Sequence, residues 1–249
     1  MKRRLFTATI ANGAAETESA LAELPVEFHA VPVSRIVQTC SQETLDGFYA
    51  RLDTFNWLFF ASANAASIFL GNLPSFRRGA VPRIACVGPN TAEFIKRMGF
   101  VVRLVSEIHT GAALAGEFIA RHGQDRPSVL LPRPEKMGSD LVERLEAAQI
   151  PVTQVVVYRT EALDGHCAKP WTFCDSDLFV FMSPSGVKHF TRLHPLPEKA
   201  AAVAIGPTTA AALSAAGHAN VVVAPKACRE GLLDTVRSIL NNSSNTEGC

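Results

Sequence analysis

Small polar residues follow short apolar runs at four places in the sequence, as two matched pairs of turns. They are Ser62 with Asn64 and Gly88 with Thr91 in the first half, and Ser183 with Ser185 and Gly206 with Thr208 and Thr209 in the second half. Serine, threonine and asparagine at such places cap helices, and the free amides at the start of a helix attract anions. The pattern therefore indicates either local helix capping or turns that bind carboxylate groups, and the residues alone leave both interpretations open.

The two glycine turns share the pattern Gly-Pro-x-Thr-Ala. We expect the glycine to allow a tight turn, the proline to fix φ, and the threonine or asparagine to cap the helix that follows. Gly99 and Gly217 each stand eleven positions after the first glycine of their turn. Glycine just past a helix favours a left-handed cap, so both helices are predicted to end at these residues.

Two larger polar side chains are candidates for the same site. Tyr158, one of two tyrosines, follows the apolar run 152–157, and Arg133 follows the run 128–131. A tyrosine hydroxyl at the boundary between two lobes could donate a proton to a ligand, and Arg133 could bind substrate in the same cleft. The alternatives are a half-buried aromatic with its hydroxyl in water and an ordinary solvated arginine.

Several kinds of chemistry have no motif in this sequence. Neither glycine turn matches GxGxxG, and there is no GxxxxGK[ST], HExxH or GxSxG pattern. The seven histidines are scattered, and the six cysteines form no CxxC pair, so we interpret the cysteines as buried free thiols in a reducing cytoplasmic or organellar interior.

The formal charge of +1 argues against a broad nucleic-acid footprint, and the sequence has no signal-peptide pattern. No apolar run reaches the roughly 20 residues that a membrane helix needs.

The elements that must position these residues are strands alternating with crossover helices, which predicts an α/β fold of two lobes. The order is the same in both halves, with an apolar strand before each polar turn and a helix after it. Examples of the predicted bounds are strands at 26–33 and 152–158 and helices at 14–24 and 231–240. Because parallel strands place their carboxyl ends at one edge of a sheet, we expect the turns of each lobe to share that edge.

With these turns identified, the chain resembles the uroporphyrinogen-III synthase family. The resemblance rests on residues 59–69 (FFASANAASIF), 87–99 (VGPNTAEFIKRMG), 155–160 (VVVYRT), 181–190 (FMSPSGVKHF) and 205–217 (IGPTTAAALSAAG). It implies two flavodoxin-like lobes with parallel sheets, joined by a two-stranded connection. On this basis residues 1–34 with 162–240 are expected to form lobe 1 and residues 35–161 lobe 2, with a flexible tail at 241–249.

The resemblance also implies a reaction. The family is a lyase of tetrapyrrole biosynthesis that cyclises hydroxymethylbilane to uroporphyrinogen III, with inversion of ring D and without metal or cofactor. Matched by motif, Tyr158 takes the proposed acid role, and Ser62, Thr91, Ser183 and Thr209 take polar contact positions. We expect a cytoplasmic monomer that binds this small-molecule polycarboxylate and neither nucleic acid nor membrane.

The sequence departs from the family pattern in the first half. Residues 6–11 read FTATIA where many bacterial members have a Thr-Arg-Pro run, and Asn64 stands where a basic residue sometimes occurs. These departures leave two other hypotheses open. One is a two-lobed module that binds an anion without chemistry, and the other is a degenerate homologue that serves as an interaction domain.

Overall fold

The computed structural model describes residues 2–12, 21–164 and 170–246. The strands of this part of the chain are β1 (Arg4–Ile10), β2 (Glu27–Gln38), β3 (Trp57–Phe60), β4 (Arg83–Cys86), β5 (Val102–Val105), β6 (Val129–Pro134), β7 (Val152–Ala162), β8 (Leu178–Phe181), β9 (Ala201–Ala204) and β10 (Val221–Val223). The helices are α1 (Gln42–Ala50), α2 (Ala63–Gly71), α3 (Pro89–Arg97), α4 (Gly111–His122), α5 (Asp140–Ala147), α6 (Pro184–Leu193), α7 (Pro207–Ala215) and α8 (Arg229–Thr246).

The chain divides into two compact units. Unit 1 comprises Met1–Arg35 and Glu161–Cys249, and unit 2 comprises Ile36–Thr160. Within unit 1 the strands follow the order β2-β1-β8-β9-β10, with parallel pairing between β1 and β2, β1 and β8, β8 and β9, and β9 and β10. This is the flavodoxin-like order 2-1-3-4-5, in which the chain reverses direction across the sheet between its first and third strands.

Unit 2 repeats that order from a different starting point in the chain. Its strands run β7-β6-β3-β4-β5, and the pairs β6 with β7, β3 with β6, β3 with β4 and β4 with β5 are parallel. If β6 is counted first and β7 second, the order is again 2-1-3-4-5. The predicted α/β class with mostly parallel sheets is therefore confirmed.

The central strands of each sheet are buried on both faces because they are continuously apolar. All four residues of β3, WLFF, are buried, as are all four of β8, LFVF. Neighbouring residues fall in different cores: Phe59 packs in one hydrophobic cluster of unit 2 and Phe60 in the other. Leu5 and Phe6 separate in the same way in unit 1. Side chains of a strand alternate between faces, so two helical layers sandwich each sheet.

Several element bounds differ from those predicted. Strands β2 and β7 continue to Gln38 and Ala162, beyond the predicted ends at 33 and 158. The prediction ended each strand where polar residues begin, but the backbone remains extended through them. Helix α1 was not predicted, since it buries only Leu45 and Tyr49 and has too few apolar positions to show a helical period. The last helix runs to Thr246 rather than to residue 240.

Other predictions are confirmed or fall outside the described ranges. Gly99 and Gly217 both have positive φ, 86° and 82°, as expected for left-handed caps. Most of the helix predicted at 14–24 lies outside the described residues, as do His166, Cys167 and Cys249. The predicted flexibility of the tail stays a prediction.

An ion pair at the amino end of the unit 1 sheet joins two of its strands. Arg4 Nε and a terminal nitrogen of Arg4 donate to the two carboxylate oxygens of Asp177, at 2.9 and 2.6 Å. The Asp177 carboxylate also accepts the backbone N–H of Cys174 at 2.8 Å and is 1% exposed as a residue. Such bidentate, charge-assisted pairing compensates the burial of the carboxylate.

None of the helices in the described ranges combines the length and the hydropathy needed to cross a membrane.

Candidate functional site

Two hydroxyl groups predicted to serve the site meet in unit 2. Ser62 Oγ and Tyr158 Oη lie 3.1 Å apart, within hydrogen-bond distance, and either atom could be the donor. Ser62 Oγ also accepts the backbone N–H of Ala65 at 3.2 Å, so it caps helix α2. One serine side chain therefore both holds the start of a helix and contacts the tyrosine.

Strand pairing brings these residues together. Ser62 follows the carboxyl end of β3, and Tyr158 lies in β7, which pairs with β6 so that Pro134 stands opposite Tyr158. Strand β6 in turn pairs with β3. Tyr158 is 5% exposed and packs within a core cluster of unit 2, so packing fixes the direction of its ring. Asn64, in the first turn of α2, is half-buried.

The second copy of the serine turn has the same cap in unit 1. Ser183 Oγ accepts the backbone N–H of Gly186 at 3.0 Å, and Ser183 Oγ and Ser185 Oγ lie 3.2 Å apart. Ser183 is half-buried, whereas Ser185 is exposed. The capping interpretation therefore holds for both serines, and the exposed Ser185 hydroxyl adds a polar group beside the helix start.

The two glycine turns differ from the prediction. Gly88 and Gly206 are themselves the N-caps of α3 and α7, and neither helix has a side-chain cap. The expected capping by threonine or asparagine is wrong, because proline occupies the first helical position and moves the threonine into the helix. Both glycines have extended φ angles, −152° and −170°, which residues other than glycine also adopt. No side chain caps these helices, but their first residue, proline, has no N–H, and the Thr209 N–H already bonds to the Gly206 carbonyl, so each helix start offers an anion fewer amides than an ordinary one.

Burial separates the threonines of these turns. Thr91 and Thr209 are 8% and 1% exposed, whereas Thr208 is exposed. Thr209 donates its backbone N–H to the Gly206 carbonyl at 3.1 Å. Thr91 and Thr209 therefore pack against their units, and Thr208 presents its hydroxyl at the surface of the turn.

Arg133 is used in part by its own loop. One terminal nitrogen donates to the carbonyls of Pro134 and Glu135, at 2.8 and 3.0 Å. Its Nε is buried and has no hydrogen-bond partner within the described ranges. Arg133 lines a cavity of about 630 Å³ together with Ser139, Glu143 and Gln154, and Tyr158 is not among the lining residues. The sequence did not indicate the other lining residues, although Ser139 begins α5 as the turn serines begin α2 and α6.

The environment beneath the first glycine turn is apolar. Cys86 ends β4 two residues before Gly88 and is fully buried, and this burial raises the pKa of its thiol to about 12. The thiol is therefore protonated at neutral pH and is not a nucleophile there.

Among the residues that the structure describes, no cluster of three or more His, Cys, Asp or Glu side chains could hold a metal ion.

Parallel flavodoxin-like sheets with polar turns at the carboxyl ends of their strands define a class of α/β protein that binds small ligands at that edge. Within this class the family is shown by comparison. The family model described as uroporphyrinogen-III synthase HemD matches residues 15–234, so the chain belongs to that family.

Individual relatives agree with this assignment. The chain is 32% identical over 213 residues to the uroporphyrinogen-III synthase of Saccharomyces cerevisiae, covering 74% of this chain and 76% of that protein. It is 27% identical to the porphyrin biosynthesis protein HemD of Ruminiclostridium josui, over 86% of this chain and 44% of that protein. The fold is similar to the crystal structure of uroporphyrinogen-III synthetase from Helicobacter pylori, with a TM-score of 0.65 and 21% identity over 96% of this chain and 100% of the other.

Proposed function

We propose that this protein is a uroporphyrinogen-III synthase, a lyase that cyclises hydroxymethylbilane with inversion of ring D. Membership of the family supports this reaction, and the contact between Ser62 and Tyr158 is the structural observation that carries it. The contact gives the tyrosine a fixed hydroxyl partner at a strand end, where ligands of this fold bind.

Tyr158 would act as the proton donor. Loss of the terminal hydroxyl of hydroxymethylbilane breaks a C–O bond, and a proton delivered to that oxygen lets it leave as water. Ser62 has one proton and accepts the Ala65 N–H with one lone pair. When the serine proton points to Tyr158, the phenol proton is free for the leaving group and the serine stabilises the tyrosinate that results. The cyclisation releases a proton from the attacking pyrrole carbon, which restores the tyrosine.

The turns would hold the carboxylates of the substrate. The starts of α3 and α7 have no side-chain cap, so the backbone N–H of Asn90 and that of Thr208 would each bind a carboxylate at the positive end of a helix, in keeping with a net charge of only +1. In unit 2, Asn64 would supply a side-chain polar group and Gly88 leaves its turn without a side chain, and in unit 1 Thr208 and Ser185 would supply hydroxyls. Arg133 would supply a cation from the cavity that it lines with Ser139 and Gln154. Thr91 and Thr209 would support the turns from beneath. Most of the rate enhancement would come from orienting a flexible linear tetrapyrrole.

The remaining expectations concern the setting of the enzyme. We infer a monomer in the cytoplasm whose partner is the tetrapyrrole substrate, with no role for nucleic acid or membrane. The formal charge of +1 supports the inference that the protein does not bind nucleic acid.

Incubation with freshly prepared hydroxymethylbilane tests the reaction. Separation of the products after oxidation is expected to give the type III isomer in excess over the spontaneous type I isomer. Type I alone, from a protein shown to be folded, would favour an anion-binding module without catalysis.

A further inference from the structure

A loop of unit 2 lies beside the Gly88 turn, and its residue His109 packs against that glycine. The loop, residues 106–110, follows the carboxyl end of β5, which pairs in parallel with β4, and Gly88 follows the carboxyl end of β4. A Cβ atom on Gly88 would meet Cβ and Cγ of His109 at 3.6 Å. His109 therefore stands at the edge of the sheet to which the substrate turns of unit 2 belong.

The imidazole ring of His109 is exposed, and its nitrogens are not used by the fold. The three atoms nearest to the side-chain position of Gly88 are all carbons of His109. Among the described residues, none forms a hydrogen bond with the ring. The nitrogens are therefore available to a ligand, and an imidazole donates an N–H whether it is neutral or protonated.

Hydrogen bonds hold the loop at both ends. Glu117 Oε1, in α4, accepts the Ser106 hydroxyl at 2.8 Å and the backbone N–H of Glu107 at 3.0 Å. At the other end, the Thr110 hydroxyl accepts a backbone N–H in the first turn of α4 at 3.2 Å. His109 lies between these two anchors, so little freedom of the loop would be lost when its ring binds a ligand.

A methyl group occupies the corresponding place in unit 1. Ala227 stands ten positions after Gly217, as His109 stands ten positions after Gly99. A Cβ atom on Gly206 would meet Ala227 Cβ at 3.5 Å, which is the same contact that His109 makes in unit 2. A methyl group is therefore enough to pack against the glycine, and the polar ring of His109 is not needed for that contact.

We propose that His109 is a further substrate-binding residue, which donates an imidazole N–H to a carboxylate held at the start of α3. The proposal rests on the proposed function, because the backbone N–H of Asn90 is the other donor to that carboxylate. Since proline removes one amide from this helix start, a side-chain donor beside it would strengthen the binding of an anion there. Two donors from separate segments would also fix the direction of the substituent that carries the carboxylate.

His109→Ala tests the proposal, because it gives unit 2 the side chain that unit 1 has at this place. The KM for hydroxymethylbilane is expected to rise about fivefold through the loss of one hydrogen bond to a carboxylate, while kcat changes little. His109→Asn and His109→Gln place an amide N–H near one or the other ring nitrogen, and one of the two is expected to recover most of the KM. His109→Phe keeps the bulk without a donor and is expected to behave as His109→Ala does. An unchanged KM in His109→Ala, or recovery by phenylalanine and by neither amide, would overturn the proposal.

Ile108→Ala is the matched control. Ile108 is 68% exposed on the same loop, and its side chain has no donor, so this change is expected to keep the natural KM. Equal rises in KM for Ile108→Ala and His109→Ala would assign the effect to the loop and contradict a role for the imidazole.

Binding of the product separates this inference from the proposed function, because binding needs no turnover. Formation of the type I isomer alone by the natural chain would reject the synthase reaction and leave the carboxylate site open to a direct test. That test is titration with uroporphyrinogen III, kept reduced under nitrogen, which the natural chain is expected to bind about fivefold tighter than His109→Ala. Equal affinities, or no binding to either protein, would overturn the proposal whether or not the chain is a synthase.

Discussion

Ser62 Oγ and Tyr158 Oη lie 3.1 Å apart although 96 positions separate the two residues in the chain. The serine is fixed by its hydrogen bond to Ala65 N and the tyrosine by burial of its ring. Neither group needs to reorganise to keep the contact, which suits a proton donor that must be held in one direction.

Replacing Tyr158 by phenylalanine tests the proton donor. The change removes the hydroxyl and keeps the buried ring, so stability is expected to change little. Loss of a general acid is expected to lower kcat by about 100-fold with a much smaller effect on binding of the product. Timed quenching with isomer analysis measures the first quantity, and product titration measures the second. An unchanged kcat would leave Tyr158 a packing residue.

Ser62→Ala is expected to remove both a helix cap and the partner of Tyr158. Ser183→Ala is its counterpart in unit 1, where the serine caps a helix through Gly186 N and its other hydroxyl neighbour is Ser185. Each change is expected to lower the free energy of unfolding by about 1 kcal/mol. Only Ser62→Ala is expected to lower kcat as well, and to shift the pH profile of kcat. Equal effects of the two changes on kcat would reduce Ser62 to a cap.

Thr209 gives a test of side-chain packing against side-chain polarity. It is 1% exposed and does not cap its helix, so Thr209→Ala is expected to lower the free energy of unfolding by about 1 kcal/mol through loss of a buried methyl group. It is also expected to weaken substrate binding by about 1 kcal/mol, since the turn above it loses support or a contact. Thr209→Val keeps the shape without the hydroxyl. If support is what matters, Thr209→Val keeps the substrate KM, and if the hydroxyl contacts substrate, KM rises in both variants.

The ion pair at the amino end of the unit 1 sheet is expected to stabilise the fold. Asp177→Asn leaves Arg4 without its charged partner, and the free energy of unfolding is expected to fall by about 2–3 kcal/mol, less than for a fully buried pair because the Arg4 side chain is 29% exposed. Arg35→Gln is the control, since its pair with Glu161 lies at the surface with 58% of the Arg35 side chain exposed. That change is expected to lower the free energy by less than about 1 kcal/mol. Urea unfolding measures both, and equal losses would contradict the distinction.

Cys86 is expected to resist alkylation in the folded protein. Burial raises the pKa of its thiol to about 12, so it remains protonated in the native state at pH 8.5, whereas the same thiol ionises in the unfolded chain. The raised pKa contributes stability below the ordinary pKa of a thiol, and this contribution is lost as the pH rises towards 12. Iodoacetamide at pH 8.5 followed by peptide mass spectrometry is expected to label the exposed Cys174 and leave Cys86 unlabelled until urea is added. Rapid native labelling of Cys86 would show that β4 opens locally.

Much of the fold was predictable because it depends on local patterns. The continuously apolar runs at β3 and β8 marked buried strands, and Gly99 and Gly217 marked helix ends. Helix α1 lacked such a signal, because its stability rests on the cap at Ser41 and on two buried side chains. The uncapped starts of α3 and α7 were also mispredicted, since a threonine after Gly-Pro has the composition of a cap but not its position.

The sequence by itself determined the α/β class, the repeated turns and the residue types available to bind carboxylates, because each follows from composition and short-range order. Only the tertiary structure decided which of those residues meet. Strand order places Tyr158 against Ser62 and leaves Arg133 lining a cavity that Tyr158 does not line, although the sequence assigns both to one site. The reason is physical: burial and side-chain direction are set by the pairing of strands distant in the chain, and no local pattern records that pairing.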